Sequence, residues 1–536
     1  MIKNLLFEII NNIKKTLNKL FLKQDKKNFK DGPAMPDIAF ATKYFNMGVL
    51  YHEKGLYKEA IENYKEAIKI KPDYINAYNN LGVIYRQTGQ LDEAIVQYQT
   101  AIFENPNHAD SYNNLGNVYI DKGLFDEAID LYKKAISLKE DYTDAYYNLG
   151  SVYYYKGLYL QAEEVLKKTI LIQPDYTNAY NNLGLVYHAL KRFDEAITQY
   201  KKVISLEPDH LNAHYNLGLL YYDMGLYDEA IEEYKKVLEI NPNHADTHNN
   251  LGAVYKSKGM LTESIEEYKK AIILNPNDTY ARNNLGTTYK IMGRYDDAIN
   301  EYLQILKINP LDTDALNGIG VCYKNKGDLD TALKYYLQAV NIDPNHVNVH
   351  HNLGNVYALK KMYDLAIKEY QKVIELDPKH SNAHYCLGFV YTERGFYDKA
   401  IEHYKESMKI DPNDPDIYYN IGIIHELRGF YDIAISFYKK ALNINPNYAL
   451  PYLNLADIYS SQGKLEKASR YYRRAIVLGE EKADVYYRLG VLAYQQEKWE
   501  EVISNFEKVL EFEPDHPEVN KWLPVARKNL IKKHNI

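Results

Sequence analysis

A 34-residue period runs through most of this chain and restricts its fold more than any other feature. The dipeptide Leu-Gly recurs at steps of 34 residues from Leu81 to Leu285. Extended in both directions, this register divides residues 41–516 into fourteen units without an insertion. Such a period is typical of repeat proteins, in which each unit packs only against its neighbours, so the chain length does not indicate separate globular domains. Below, positions within a repeat are numbered 1 to 34, and repeat 1 begins at residue 41.

The repeat at residues 75–108 shows why the pattern predicts two antiparallel helices. Apolar and aromatic residues have helical spacing in both halves of the repeat. Gly82 has no side chain, so two helices can approach closely there, and Tyr98 fills the space beside it. Gly89 suits the left-handed end of the first helix. Pro106 cannot extend the second helix, so the chain turns into the next repeat.

This pattern of Leu-Gly, Tyr, Ala, Tyr, Ala and Pro resembles the tetratricopeptide repeat family over about nine-tenths of the chain. The resemblance implies an all-α fold, a right-handed superhelical solenoid of helix-turn-helix repeats whose first helices line an inner groove. We therefore expect a basic amphipathic helix at 1–23, a linker at 24–40, fourteen repeats at 41–516, and a capping helix with a basic tail at 517–536.

Position 6 of the repeat is Asn in eleven of the fourteen repeats. Because Asn is a mediocre helix former, its recurrence inside a helix requires a reason. One hypothesis is a row of carboxamides that bind the peptide groups of an extended polypeptide, a role also implied by resemblance to the repeat arm of O-linked N-acetylglucosamine transferase. The alternative is that Asn bonds to the adjacent helix and sets the stacking of repeats. We call this row the Asn ladder; it contains Asn46, Asn80, Asn114, Asn148, Asn182, Asn216, Asn250, Asn284, Asn352, Asn420 and Asn454.

Two charged rows accompany the ladder. Asp is common at position 2, where the helix dipole favours acidic residues, and Lys256, Lys290 and Lys324 occupy position 12 of three successive repeats. These lysines either receive an acidic segment or are simply solvated. The formal net charge of −7 is mild, and the two signs are interspersed, which gives no indication of nucleic-acid binding.

The sequence has no pattern that indicates an enzyme, a cofactor or a metal site. It lacks a phosphate loop, a dinucleotide fingerprint and a nucleophile elbow. Cys322 and Cys386 are too few and too far apart for a disulfide framework or a cysteine metal site. Four histidine pairs have i, i+4 spacing without an evident third ligand, so we predict no metal there. The pairs are His210 with His214, His244 with His248, His346 with His350, and His380 with His384.

Residues 1–23 have apolar side chains at helical spacing and lysines mostly off that stripe. The predicted helix either lies on an anionic membrane surface, pairs in a short coiled coil, or caps the first repeat. No apolar stretch is long enough for a transmembrane helix. We expect a cytoplasmic protein, with peripheral membrane contact through this helix as one alternative.

These observations predict a scaffold or adaptor that holds extended segments of other proteins in the inner groove. One alternative is a structural platform that self-associates through its ends or its first helix. The other is a non-catalytic targeting subunit of a glycosyltransferase-type enzyme, because the sequence outside the repeats leaves no room for a catalytic module.

Overall fold

The computed structural model describes residues 37–534, which fall into two compact units that divide between Val254 and Tyr255. All regular secondary structure within this range is α-helical. The predicted all-α repeat fold is therefore confirmed. The helix expected at 1–23, and the linker as far as residue 36, lie outside the described residues.

Unit 1 extends to Val254 and consists of helix pairs. The first helix begins at Asp37 instead of residue 41, and Thr42 Oγ1 donates to Ile38 O at 2.8 Å within this added turn. The helices are α1 (Asp37–Glu53), α2 (Tyr57–Ile70), α3 (Ile75–Gln87), α4 (Leu91–Glu104), α5 (Ala109–Asp121), α6 (Phe125–Leu138), α7 (Thr143–Tyr155), α8 (Tyr159–Ile172), α9 (Thr177–Ala189), α10 (Phe193–Leu206), α11 (Leu211–Asp223), α12 (Tyr227–Ile240) and α13 (Ala245–Ser257), within which the division falls.

Unit 2 begins at Tyr255 and continues the same alternation of first and second helices. After α13 its helices are α14 (Leu261–Leu274), α15 (Thr279–Ile291), α16 (Tyr295–Ile308), α17 (Thr313–Asn325), α18 (Leu329–Ile342), α19 (Val347–Leu359), α20 (Tyr363–Leu376), α21 (Ser381–Glu393), α22 (Tyr397–Ile410), α23 (Pro415–Leu427), α24 (Tyr431–Ile444), α25 (Ala449–Ser461), α26 (Leu465–Val477), α27 (Ala483–Gln495), α28 (Trp499–Phe512) and α29 (Pro517–His534).

Within each unit, the two helices of a repeat pack together, and each second helix packs against the first helix of the next repeat. Glycine at position 8 and tyrosine at position 24 determine the contact inside a repeat. A Cβ atom at Gly218 would lie 2.7 Å from Tyr234 Cε1, and one at Gly320 would lie 2.4 Å from Tyr336 Cε1. Real side chains do not approach so closely, so a larger residue displaces the ring. The largest fully buried side chains are all tyrosines of this position: Tyr64, Tyr98, Tyr132, Tyr200, Tyr234, Tyr268, Tyr302, Tyr336, Tyr370, Tyr404, Tyr438 and Tyr472.

The turn between the two helices of a repeat requires a left-handed residue at position 15. Gly89, for example, has φ +77°. Where the sequence replaces this glycine, the conformation is retained: φ is 59° at Lys191, 58° at Lys361 and 55° at Glu497. Packing of the flanking helices therefore holds these residues in a conformation that is unfavourable for a residue with a Cβ atom.

We expect Lys361→Gly to raise the free energy of unfolding by about 1 kcal/mol, because glycine adopts φ 58° without the Cβ clash. Urea denaturation followed by circular dichroism measures this difference. Gly395 occupies the same position of the next repeat and has φ 75°. The reverse change, Gly395→Lys, should therefore lower the free energy of unfolding by a similar amount. Equal signs for the two changes would contradict the explanation.

The last helix, α29, covers the apolar face of the final repeat. Val519, Leu523 and Ala526 are buried against α28. The sequence places Pro524 inside this helix, yet the helix continues to His534. Proline therefore removes one backbone hydrogen bond without ending the helix.

Candidate functional site

In unit 1 the Asn ladder connects the first helices of successive repeats. Asn114 Nδ2 donates to Asn79 Oδ1 at 3.1 Å, from position 6 of one repeat to position 5 of the repeat before it. The same link joins Asn148 to Asn113 at 3.0 Å, Asn216 to Asn181 at 3.0 Å, and Asn250 to the hydroxyl of Tyr215 at 2.9 Å.

The other ladder residues of unit 1 differ in their partners. Asn80 donates to the hydroxyl of Tyr64 at 3.3 Å, and Asn182 donates to Ser151 Oγ at 2.9 Å. Asn46, in the first repeat, is exposed. The ladder side chains from the second repeat onward are half-buried. The row therefore stands at the surface with its orientation fixed by hydrogen bonds.

In unit 2 the link recurs between Asn352 and Asn317 at 2.9 Å and between Asn420 and the Tyr385 hydroxyl at 3.0 Å. Asn454 reverses the direction, because its Oδ1 accepts from the hydroxyl of Tyr419 at 3.4 Å. Asn284 is half-buried on α15. The row is interrupted by Gly318, Cys386 and Arg488.

The ladder thus makes the inter-repeat contacts that the structural alternative expects. Each link uses one N–H of a carboxamide, and Asn148 and Asn420 make a second donation, to Asn117 Oδ1 at 3.1 Å and to Asp416 O at 2.8 Å. We call the surface formed by positions 2, 5, 6, 9, 12 and 13 of the first helices within one unit the ladder face.

A polar residue at position 9 can provide a hydrogen-bond partner for the buried tyrosine of position 24. The hydroxyl of Tyr132 donates to Asn117 Oδ1 at 2.7 Å, and that of Tyr370 donates to Asn355 Oδ1 at 2.8 Å. Where position 9 is apolar, as in the repeats of Tyr98, Tyr200 and Tyr336, the hydroxyl has no hydrogen-bond partner among the described residues. Sequence reasoning missed this coupling between positions 9 and 24.

We expect Tyr132→Phe to lower the free energy of unfolding by about 1 kcal/mol, because it removes a satisfied hydrogen bond. Tyr200→Phe should instead raise it by up to about 1 kcal/mol, because it removes a buried hydroxyl without a partner. Urea denaturation of both variants checks the opposite signs. A loss of stability in both would show that the Tyr200 hydroxyl is satisfied in solution.

A second row of contacts joins successive repeats away from the ladder, and the sequence analysis did not find it. Lys122 Nζ lies 2.7 Å from Asp92 Oδ1, joining position 14 to position 18 of the repeat before it. Lys360 and Asp330 repeat this pair in unit 2 at 2.6 Å. Such exposed pairs each contribute roughly 0–1 kcal/mol. The sequence feature that could have predicted these pairs is an acidic residue followed 30 positions later by a basic one. The further pairs are Lys156–Asp126, Lys326–Asp296, Arg394–Asp364 and Arg428–Asp398.

The histidine pairs occupy structural positions at repeat junctions. His210 Nδ1 accepts from the backbone N–H of Ala213 at 3.1 Å and so caps α11. His214 lies between Pro208 O, at 2.8 Å, and Glu233 Oε2, at 2.6 Å. His350 makes the same two contacts in unit 2. Among residues 37–534, no group of three or more His, Cys, Asp or Glu side chains is arranged to hold a metal ion.

The acidic residues at position 2 are exposed on the ladder face. Asp144 Oδ1 accepts from the Tyr176 hydroxyl at 3.2 Å, and Asp314 Oδ1 lies 3.2 Å from His346 Nε2. In both cases the partner is the last residue of the same repeat.

No helix in the described part of the chain is long and apolar enough to cross a membrane.

Comparison with protein families identifies tetratricopeptide repeats along the chain. Models described as tetratricopeptide repeat match residues 267–300, 301–334, 413–480 and 453–517. A model described as TPR repeat matches residues 322–361, 354–395 and 390–429. Residues 22–271 match the C-terminal domain of cilia and flagella-associated protein 70.

Several solved structures are also similar to this chain. MamA is 30% identical with a TM-score of 0.29, over 31% of this chain and 96% of MamA. YrrB, described as a TPR protein with an unusual peptide-binding site, is 28% identical with a TM-score of 0.30, over 34% of this chain and 95% of YrrB. The Cut9–Hcn1 hetero-tetramer of the APC/C gives 15% identity and a TM-score of 0.40, over 84% of this chain and 96% of that one.

A comparison with curated proteins found no match. The family models, together with the observed helix pairs and their glycine–tyrosine contacts, agree on one assignment. The chain is a member of the tetratricopeptide repeat family.

Proposed function

We propose that this chain is a scaffold whose ladder face in unit 1 holds extended segments of partner proteins. Tetratricopeptide repeats in general form protein-interaction scaffolds, and their fold is generally non-catalytic. In this chain, we infer that the ladder carboxamides hydrogen-bond to the backbone of the bound segment.

The observation that carries the proposal is the fixed orientation of the ladder. Asn216 and Asn250 each donate one N–H to the previous repeat, Asn148 donates to both Asn113 and Asn117 of the previous repeat, and all three side chains are half-buried. Their rotamers are therefore set before a ligand arrives, which lowers the entropy lost on binding. The second N–H of Asn216 and Asn250 can donate to a peptide carbonyl, and the carboxamide oxygens of the ladder can accept from a peptide N–H.

The spacing of the repeats supports the same role. Neighbouring helices pack at roughly 10 Å, which corresponds to about three residues of extended polypeptide at ~3.3 Å each. A segment running along the ladder would meet one carboxamide about every three residues. Because these contacts involve only backbone groups, the ladder would accept segments of varied sequence.

Replacing Asn148, Asn182, Asn216 and Asn250 together by Ala should abolish capture of partner proteins. Pull-down followed by mass spectrometry, with circular dichroism as a check on helicity, measures this outcome. Because the four changes also remove inter-repeat hydrogen bonds, a second variant is needed. Ala189→Arg places a bulky side chain at exposed position 13 of the ladder face and leaves every ladder bond in place.

The matched control replaces Asp92, Asp126, Asp194 and Asp228, which occupy position 18 on the second helices, by Ala. Capture should persist in this control and fall in both ladder-face variants. If Ala189→Arg and the fourfold Asn variant both retain their partners, the ladder face of unit 1 is not the binding surface.

A further inference from the structure

Position 12 of the ladder face has a consistent partner in unit 1. A basic or histidine side chain there contacts position 13 of the next repeat, 35 residues later. Arg86 Nε lies 2.5 Å from Asp121 Oδ2, and His188 Nε2 lies 2.8 Å from Asp223 Oδ2. His52 likewise lies 2.9 Å from Gln87 Oε1. Unit 1 therefore provides an internal acceptor for each of these side chains.

The three lysines of unit 2 lack this acceptor. Counting 35 residues on from Lys256, Lys290 and Lys324 leads to Ile291, Asn325 and Leu359, none of which is acidic. Among the described residues, no carboxylate forms an ion pair with any of the three lysines. All three are half-buried, whereas Ile291 and Leu359 are 57% and 63% exposed. The row thus combines cations without counter-charges and exposed apolar side chains.

The electrostatic surroundings of this row are unfavourable without an anion. Burial lowers the pKa of Lys256, and burial together with the charge of Lys290 lowers the pKa of Lys324. Burial, with the charges of His380 and Lys324, lowers the pKa of His351 to about 4. The buried Nδ1 atom of His351 has no hydrogen-bond partner within residues 37–534. The charges of Lys290 and Lys324 and the unsatisfied nitrogen of His351 therefore influence one another along this row.

A location in the last turn of a helix accounts for the presence of lysine, since the dipole favours cations there. It does not account for the absence of an acid at position 13 in all three following repeats. An external anion would supply the missing negative charge.

We propose that Lys256, Lys290 and Lys324 bind an acidic segment of a partner polypeptide, as an extension of the proposed scaffold function. The chain's own N-terminal segment is rich in lysine and would be repelled. A polyproline II segment places every third residue on one face, about 9 Å apart, close to the helix-packing distance of roughly 10 Å. The best ligand therefore carries Asp or Glu at every third residue, with apolar residues between them that contact Ile291 and Leu359.

The experiment uses the full chain and a fluorescein-labelled peptide with Asp at three positions spaced by three residues, separated by Pro and Ala. The comparison peptide has Asn in place of each Asp. Fluorescence anisotropy measures both affinities at rising salt concentration. We expect the Asp peptide to bind at least tenfold more tightly at low salt, and its affinity to fall with salt.

Two variants test the row from opposite directions. Lys256→Gln, Lys290→Gln and Lys324→Gln together remove the cations. Ile291→Asp with Leu359→Asp keeps every lysine and supplies the acid that Asp121 and Asp223 provide in unit 1. Each variant should weaken binding of the Asp peptide at least tenfold. The control variant also removes three positive charges, by Lys326→Gln, Lys360→Gln and Arg394→Gln, but at position 14, where each side chain pairs with an aspartate of the previous repeat. It should change the affinity for the Asp peptide less than twofold.

Equal binding of the Asp and Asn peptides, or an equal loss in the control, would overturn the proposal, because the affinity would then not depend on this row. The scaffold function is tested separately by the Asn peptide. If that peptide binds and loses affinity only in the fourfold Asn variant of unit 1, the scaffold proposal stands whatever the lysine variants show.

Discussion

Tyr336→Ala is expected to lower the free energy of unfolding of unit 2 by about 3–5 kcal/mol, the range for removing a large buried aromatic side chain. Tyr336 is fully buried, and its ring lies where a Cβ atom of Gly320 would be. Glycine cannot fill the resulting cavity. The unsatisfied hydroxyl is removed at the same time, which places the expected loss at the lower end of the range.

Urea denaturation followed by circular dichroism measures this loss. Because each repeat contacts only its neighbours, the variant should also show a separate early transition. Tyr280→Ala is the control, since that side chain is 81% exposed and its removal should change stability by no more than about 0.5 kcal/mol. Similar losses in the two variants would mean that burial at position 24 does not determine stability.

Arg282→Ala is expected to cost about 2–3 kcal/mol. Arg282 Nη1 donates to Glu301 Oε2 at 2.9 Å, and Nη2 donates to Pro276 O at 3.1 Å. The two charged side chains are only 15% and 17% exposed. Removing Arg282 leaves a carboxylate and a carbonyl without their donors, and breaking a fully buried pair costs about 3–5 kcal/mol. Partial exposure reduces the expected value.

Arg294→Ala serves as the control, because its pair with Asp297 is about half exposed and should contribute less than about 1 kcal/mol. Adding Glu301→Ala to Arg282→Ala should restore part of the lost stability, since no charge then remains unpaired. Both measurements use urea denaturation. A double variant as unstable as Arg282→Ala would show that packing of the arginine, and not the charge left on Glu301, causes the loss.

The junction residues explain why different side chains alternate at position 4. Tyr180 Oη donates to Pro174 O of the preceding repeat at 3.1 Å, and His214, Arg282 and His350 likewise contact the equivalent proline carbonyl of the repeat before them. A donor is needed because proline ends the second helix and leaves its carbonyl at the junction. The histidines spaced i, i+4 in the sequence are therefore accounted for as junction residues.

The sequence alone determined the repeat, the helix pairs and the packing of glycine against tyrosine. Their spacing is local, because a residue's position on a helix fixes the face on which it lies. The Asn ladder was also visible, as a row of identical residues at one position. The bonding partners of the row were not visible, since Asn114 and Asn79 meet only after the helix between them, α4, has folded back against its neighbours.

The tertiary structure decided the contacts between helices, both within a repeat and between repeats. The pairing of Lys122 with Asp92, the bond between Tyr132 and Asn117, and the missing counter-charge of Lys324 all depend on how neighbouring helices pack. Residues 30 or 35 positions apart become neighbours only through the stacking of one helix pair on the next. Periodicity therefore determined which residues share a face, and stacking determined which of them are already paired and which remain available for a partner.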